Sequence, residues 1–386
     1  MEFCVTNVVK CNNIYRSGIL KLISEVYTPT VINSTGDNPA FRTPICLQYT
    51  KDACIPYLTW ELVQHVDDDQ APLMISLKDI YPMRISLSAF GRGIVSFSNC
   101  RPYRPSFLTV QNVLSQPKSG YNGKNAVSIW NESGRQIVDC MEFHRLKNLA
   151  KPTLFQMLCD ADTPKNANNT RIDRSIDNSL GYYSCLTATS DEYGDSNSFW
   201  SILGGYSIKQ RCFCASKAGD MKNGGYIIDG FQSSSLLSSD KIECDEVISI
   251  VEKVCEILPS NKPRALFGPL RPELVLKIYK AGVDIFDSSY CTYMTEKNHA
   301  LVMSENEDLF KVIFTEIDMS NSNLKADFGL ITNNCGCYTC TNGFTKAYIN
   351  HLIKTSEILA SVLLMFHNLH TYYTIFRRLQ YLGGNT

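Results

Sequence analysis

Three cysteines fall close together in Cys335-Gly336-Cys337-Tyr338-Thr339-Cys340. Thiols at this spacing can wrap one tetrahedral ion, provided a fourth ligand arrives from elsewhere in the chain. Three cysteines cannot form two disulfides, so the pattern favours a metal over bridges. The expected ion is one structural zinc per chain, because four protein ligands leave no open coordination position. His351, His367 and His370 all lie on the helical segment that follows, Lys346 to Leu379. His367 and His370 share a helix face. Spacing alone does not choose among the three.

A second group of chemically capable residues stands at the ends of short apolar runs. These are Asp160 and Asp162, Gly204-Gly205, Asp229-Gly230, Gly268 and Asp287. Any one of them reads equally as a loop start or helix cap. A succession is more telling, because the carboxyl ends of the strands of a parallel α/β barrel build its ligand pocket. Carboxylates there supply chemistry, and glycines let a ligand come close.

The elements that must position these groups follow from apolar periodicity. Strands are expected at Thr153–Cys159, Trp200–Gly204, Gly225–Asp229, Ala265–Gly268 and Val283–Asp287. Helices are expected over roughly 173–190, 207–218, 239–258 and 271–281. In the third of these helices Ile242, Val247, Ile250, Val251, Val254 and Leu258 recur at helical spacing. Strand–helix alternation argues for a parallel sheet, doubly wound or closed into a barrel. The first third is richer in β-branched and aromatic residues, with a turn at Ser34-Thr35-Gly36-Asp37-Asn38-Pro39, and reads as an antiparallel cap. Ala126–Trp130 and Gln136–Val138 read as a hairpin.

Composition sets the outer bounds. The chain has 386 residues, 44% hydrophobic and 19% charged, enough for one elaborated barrel. Its formal charge of −1 supplies no general basic field, so RNA contact requires a local patch or a partner. The best basic candidates are His144-Arg145-Leu146-Lys147 and Arg377-Arg378. The N-terminus lacks a signal-peptide pattern, and the longest apolar run, Ile358–Phe366, is too short to cross a bilayer. A soluble intracellular protein without an integral membrane segment is expected. Most of the sixteen cysteines, such as that in Met157-Leu158-Cys159, then read as reduced, buried apolar side chains.

The cysteine triplet, Thr345-Lys346-Ala347-Tyr348-Ile349-Asn350-His351-Leu352 and Leu364-Met365-Phe366-His367-Asn368-Leu369 together resemble the zinc subdomain of tRNA-guanine transglycosylases. Phe155–Pro164, Ser201-Ile202-Leu203-Gly204-Gly205, Gly224–Gln232, Lys262–Gly268, Arg271-Pro272-Glu273 and Gly282–Asp287 resemble that family's barrel strands in order. The resemblance spans residues 150 to 380 and is loose over the first 140. It implies a (β/α)8 TIM barrel with an N-terminal antiparallel β cap and a C-terminal zinc-binding subdomain. The implied boundaries are 1–70 for the cap, 71–330 for the barrel and 331–386 for the zinc subdomain with closing helices. It also implies that the zinc ligands are Cys335, Cys337, Cys340 and His367.

The family exchanges a base at the wobble position of tRNA, with one Asp as nucleophile and a second Asp moving protons. The nucleophile's position falls on Asp287, in Phe286-Asp287. The Asp-Ser-Gly-Gly-Phe-Gln motif that carries the second Asp does not occur. Its region reads Ala71-Pro72-Leu73-Met74-Ile75-Ser76-Leu77-Lys78-Asp79-Ile80. Ser288-Ser289-Tyr290-Cys291 replaces the Pro-Thr-Arg run after the nucleophile, and Leu203 stands where a glutamine is expected. Asp160, Gly204, Gly205 and Asp229 remain as a residual base pocket.

These losses resemble the family's non-catalytic subunit and imply no catalytic residues of its own. They imply a heterodimer with a catalytic sister that exchanges wobble guanine for queuine, with a homodimer as the other arrangement. Contact with tRNA comes through the complex, in the cytoplasm or at the mitochondrial outer membrane. The competing reading is a self-sufficient transglycosylase that uses Asp287 as nucleophile, with Asp79 or Asp160 as base.

Overall fold

The computed structural model describes residues 1–11, 13–22, 40–66, 71–100, 103–115, 118–190, 197–219 and 221–384. The turn expected at Ser34–Pro39 lies outside the described residues. Three N-terminal strands, Glu2–Cys11 (β1), Asn13–Lys21 (β2) and Ala40–Thr43 (β3), form an antiparallel sheet in the order β1-β2-β3.

Eight parallel strands then close a barrel. They are Ile45–Tyr49 (β4), Leu73–Ser76 (β5), Ser106–Thr109 (β6), Leu154–Gln156 (β9), Ser198–Ile202 (β10), Gly225–Ile228 (β11), Arg264–Ala265 (β12) and Ile285–Asp287 (β13). The expected hairpin, Ala126–Asn131 (β7) and Gly134–Asp139 (β8), is inserted between the third and fourth of these. Closure pairs β13 with β4, so that Asp287 lies beside Leu47. The barrel thus takes its first strand from Ile45–Tyr49, ahead of residue 71. An apolar run this short carries no periodic signal to separate a barrel strand from a cap strand.

Side-chain alternation fills both faces of the barrel wall. Ile45, Leu47, Tyr49, Met74, Phe107, Leu154, Phe199, Ile227, Ala265 and Ile285 form one buried cluster, the barrel interior. Their sequence neighbours, among them Cys46, Ile75, Phe155, Tyr226, Ile228 and Phe286, pack in the cluster that includes the surrounding helices. This division is the period-2 pattern of a strand buried on both faces. Phe107 packs edge-on against Phe199 and Phe267, at 4.9 and 5.2 Å between ring centroids.

The N-terminal sheet seals the barrel floor. Arg16 of β2 lies 3.3 Å from a carboxylate oxygen of Asp284 and donates to the Lys262 carbonyl at 2.7 Å. Asp284 is fully buried and also accepts from the Arg264 N–H at 2.8 Å. Burial pushes its pKa up to about 6, while Arg16 pulls the other way.

The expected helices appear as Asn169–Thr189, Ile208–Gly219, Lys241–Ile257 and Pro272–Lys280. Beyond the barrel, His299–Met303 (β14) and Phe314–Asp318 (β15) pair antiparallel. The segment expected as one helix from Lys346 to Leu379 is two, Lys346–Lys354 and Ile358–Gly384. The chain breaks at Ser356, whose φ of 57° is left-handed. Thr355, just before the break, turns its hydroxyl back to the His351 carbonyl at 3.1 Å. The second helix returns across the barrel, with Phe376 tilted against Phe286 of β13 at 5.5 Å.

Candidate functional site

Local capping brings the three cysteines together. Cys337 caps the short helix Tyr338–Thr341, its sulfur accepting from the Cys340 N–H at 3.4 Å, while the Cys335 sulfur accepts from the Cys337 N–H at 3.5 Å. The hydroxyl of Thr339 donates to the Leu363 carbonyl at 2.6 Å, pinning this turn to the long C-terminal helix just ahead of His367.

Of the three candidate histidines, the structure gathers His367. Its Nδ1 lies 3.7 Å from the sulfur of Cys335 and 3.5 Å from those of Cys337 and Cys340. All four ligand atoms fall within 4.8 Å of one another, so the group can hold a metal ion. A tetrahedral ion with sulfur at roughly 2.3 Å and nitrogen at roughly 2.0–2.1 Å separates such atoms by about 3.5–3.8 Å. The cluster therefore fits. His351 is exposed. His370 is half-buried near Gly336 and stands outside the four-residue group.

The other imidazole nitrogen fixes the tautomer. Nε2 of His367 donates to the Leu301 carbonyl at 2.8 Å, which leaves Nδ1 as the ring nitrogen that faces the sulfurs and the one free to ligate a metal once deprotonated. The next residue, Asn368, fastens the same helix to β14. It accepts from the Leu301 N–H at 2.8 Å and donates to the carbonyl of His299 at 3.0 Å and the hydroxyl of Thr295 at 3.1 Å. Without a cation, three adjacent sulfurs cannot all be thiolates. Hydrogen bonding with Cys335 and Cys340 drives Cys337 far up, while hydrogen bonding with Cys335 and Cys337 drives Cys340 down. Burial would lower His367, but its sulfur neighbours outweigh that and hold it at about 9. A dication removes this conflict by taking all four lone pairs.

The barrel mouth encloses a cavity of about 410 Å³. Of the residues singled out at strand ends, Asp162, Asp229, Gly230 and Gly268 line it; Asp160, Gly204, Gly205 and Asp287 do not. Asp287 is fully buried. One carboxylate oxygen accepts from the Gly268 N–H at 2.6 Å and the other from the Ser289 N–H at 2.8 Å. Burial pushes it up to about 6 against these hydrogen bonds. Gly268 holds a φ of 141°, and a Cβ there would come within 2.4 Å of the Leu236 side chain.

Asp160 is saturated. It accepts from Arg171 at 2.8 and 3.1 Å, from Asn122 at 3.0 Å and from Asn178 at 2.8 Å. Burial alone would raise its pKa, but Arg171 holds it below the ordinary value. Arg171 also pairs with one oxygen of Asp162. The second oxygen of Asp162 is buried without a hydrogen-bond partner, and burial together with Asp160 raises this group to about 6. Asp229 accepts from Gln156 at 2.6 Å and from the Gly230 N–H at 2.6 Å.

Gly204 and Gly205 serve a buried guanidinium. Arg211 donates to the carbonyls of Gly205 at 2.8 Å and Ile202 at 2.7 Å, and it packs on the ring of Phe231 at 4.2 Å. Burial lowers its pKa to about 10. A Cβ on Gly204 would lie 2.6 Å from the Arg211 backbone nitrogen, at a φ of 144°. Asp79 is occupied too: one of its oxygens accepts from the Ser76 N–H at 3.0 Å and the Ser76 hydroxyl at 2.8 Å, a capping box for the helix Leu77–Phe90.

The sequence reading did not single out Arg171, Arg211 or Asn368. For Arg211 a signal exists, since it shares a helix face with Cys214, Ala215 and Ala218, and an arginine on an apolar stripe must find buried acceptors.

Among the described residues no helix is long and apolar enough to cross a membrane. The family model for queuine tRNA-ribosyltransferase matches residues 16–381. A queuine tRNA-ribosyltransferase accessory subunit 2 from Ixodes scapularis is 36% identical over 341 residues, covering 85% of this chain and 86% of the relative. The protein of the same name from Aedes aegypti is 30% identical over 387 residues, covering 98% and 88%. That from Caenorhabditis elegans is 28% identical over 373 residues, covering 94% and 95%. A match over nearly the whole length, on a closed eight-stranded barrel with a Cys3His cluster behind it, makes this chain a member of the queuine tRNA-ribosyltransferase family.

Proposed function

We propose that the chain is the non-catalytic subunit of a heteromeric queuine tRNA-ribosyltransferase. Its catalytic sister exchanges wobble guanine for queuine, and this chain holds and orients the complex on tRNA. The observation that carries the reading is the state of Asp287. A nucleophilic carboxylate must reach a ribose carbon, whereas this one is fully buried with both oxygens taken by backbone N–H groups. The two carboxylates that could serve as its base are equally committed, Asp79 to a helix cap and Asp160 to Arg171. The names of the relatives support the same reading.

In this proposal Cys335, Cys337, Cys340 and His367 bind one structural zinc ion, which stiffens the lobe beyond the barrel. Phe328, Tyr348, Ile358 and Leu359 stand exposed on that lobe, the kind of apolar surface a partner subunit covers. The sister forms a heterodimer with this chain, and the complex works in the cytoplasm and at the mitochondrial outer surface.

The test is base exchange on tRNA with labelled guanine. The isolated chain is expected to stay at background and the sister's incorporation to rise when the chain is added. Incorporation by the chain alone would restore the self-sufficient enzyme with Asp287 as nucleophile.

A further inference from the structure

We propose that the β7–β8 hairpin and the loop before it form a stacking platform for single-stranded RNA at the lip of the barrel mouth. The inference rests on the proposed function and adds to it a place where this chain itself touches RNA. Four side chains make the platform. Lys118 lies 4.1 Å from the ring centroid of Trp130, Trp130 meets Tyr121 edge-to-face at 5.2 Å, and Arg135 covers Tyr121 at 5.0 Å. Cations thus flank an aromatic pair at both ends.

Two further observations point outward to a ligand. Neither Lys118 nor Arg135 has a carboxylate partner among the described residues, although both are exposed on a chain whose acidic and basic residues nearly balance. Tyr121 keeps 44% of its surface exposed, a large fraction for an aromatic ring that is already packed on one side. Cations without a carboxylate partner beside a partly exposed aromatic ring complement a strand that presents phosphates and unstacked bases together. An acidic peptide would satisfy the cations and leave the ring unused.

The platform is rigid and correctly placed. Arg135 donates to the Tyr121 carbonyl at 2.9 Å and the Ser128 hydroxyl at 3.0 Å, while Asn122 accepts from the Ser128 N–H at 2.8 Å. The Tyr182 hydroxyl donates to the carbonyls of Gly123 and Ala126. Gln111, on the cavity wall, donates to the Ser128 carbonyl at 3.0 Å, and Lys118 itself lines that wall. A base resting on Tyr121 is therefore held next to the mouth without the ordering cost that a loose loop would incur.

The test measures binding of the assembled two-subunit complex to an anticodon stem–loop RNA by fluorescence anisotropy, across a series of KCl concentrations. Tyr121→Ala is expected to weaken binding roughly tenfold, with Tyr121→Phe restoring it, because a ring and not a hydroxyl is needed. Lys118→Ala is expected to weaken binding and reduce the salt slope by about one. A fully duplex RNA should be indifferent to Tyr121→Ala, since its bases cannot leave the stack. Co-assembly is read on the same samples by size-exclusion chromatography. A complex that assembles but binds the stem–loop equally well in all variants overturns the platform alone. Failure of the unmodified chain to assemble with the catalytic subunit overturns the proposed function and the platform with it.

Discussion

His367 and Leu301 are joined twice over: the imidazole Nε2 donates to the Leu301 carbonyl at 2.8 Å, and the neighbouring Asn368 accepts from the Leu301 N–H at 2.8 Å. One strand residue therefore sets both the rotation of the ring that faces the three sulfurs and the height of its helix. This is the outer support that gives a ligating histidine its basicity and aim.

His367→Ala and Cys337→Ser should each release the metal, and His370→Ala should retain it. Metal content measured by inductively coupled plasma mass spectrometry checks the first effect and thermal melting the second. Each kcal/mol of lost binding energy lowers the midpoint by about 1–2 °C in a chain of this length. Release from His370→Ala with retention in His367→Ala would assign the fourth ligand wrongly.

Asn368→Ala should destabilise the fold without removing a ligand. It strips the partner from the buried Leu301 N–H and unties the helix from Thr295 and His299. A loss of about 1–3 kcal/mol is expected in urea unfolding, with metal still bound at saturating zinc. An unchanged unfolding midpoint would show that the helix is held by apolar packing alone.

Asp79→Ala should cost about 0.5–2 kcal/mol of stability through the lost capping box. Base exchange by the assembled complex, normalised to folded protein, should stay the same. A drop of roughly a hundredfold or more would make Asp79 a proton-transfer group after all.

Asp162→Asn bears on pH. The folded-state pKa of Asp162 is raised to about 6, above the roughly 3.9 expected when unfolded. Between those values the folded chain binds more protons than the unfolded one, so this group's unfavourable contribution grows as pH rises and is complete above about 6. The variant should therefore be more stable than the parent at pH 7, by roughly 1–2 kcal/mol, and the advantage should shrink as pH falls toward 4. Equal stability of the two proteins at pH 7 would place the carboxylate in effective contact with water.

Phe328→Asp or Tyr348→Asp should weaken co-assembly with the catalytic subunit, by about tenfold or more if either ring is an anchor of the interface. Circular dichroism should stay unchanged, since both side chains are exposed. Assembly indifferent to both changes would move the interface off the metal-holding lobe.

Much of the frame was legible from residues alone. Barrel strands β9 to β13 and their helices follow from apolar runs alternating with helical periodicity, and the cysteine triplet pointed to the one place where a group able to hold a metal ion gathers among the described residues. The sequence could not rank His351, His367 and His370 by spacing. What separates them is the Leu301 carbonyl, a backbone acceptor from a strand distant along the chain. Nor could it show that Gly204 and Gly205 cradle Arg211, or that Arg171 takes up Asp160, since both depend on how helix starts fall against strand ends. Ile45–Tyr49 read as cap because only ring closure with β13 distinguishes a barrel strand from its neighbours.

The Arg16 contacts to Asp284 and Lys262 tie one of the earliest strands to residues made only after about two-thirds of the chain has left the ribosome. During synthesis the N-terminal sheet waits without its counter-charge, and ring closure between β4 and β13 waits with it. Contacts so far apart along the chain make for slow assembly and a long-exposed intermediate. Chains truncated before Asp284 should therefore accumulate as aggregation-prone species, while the finished protein gains a floor that locks an early-made strand to residues made much later.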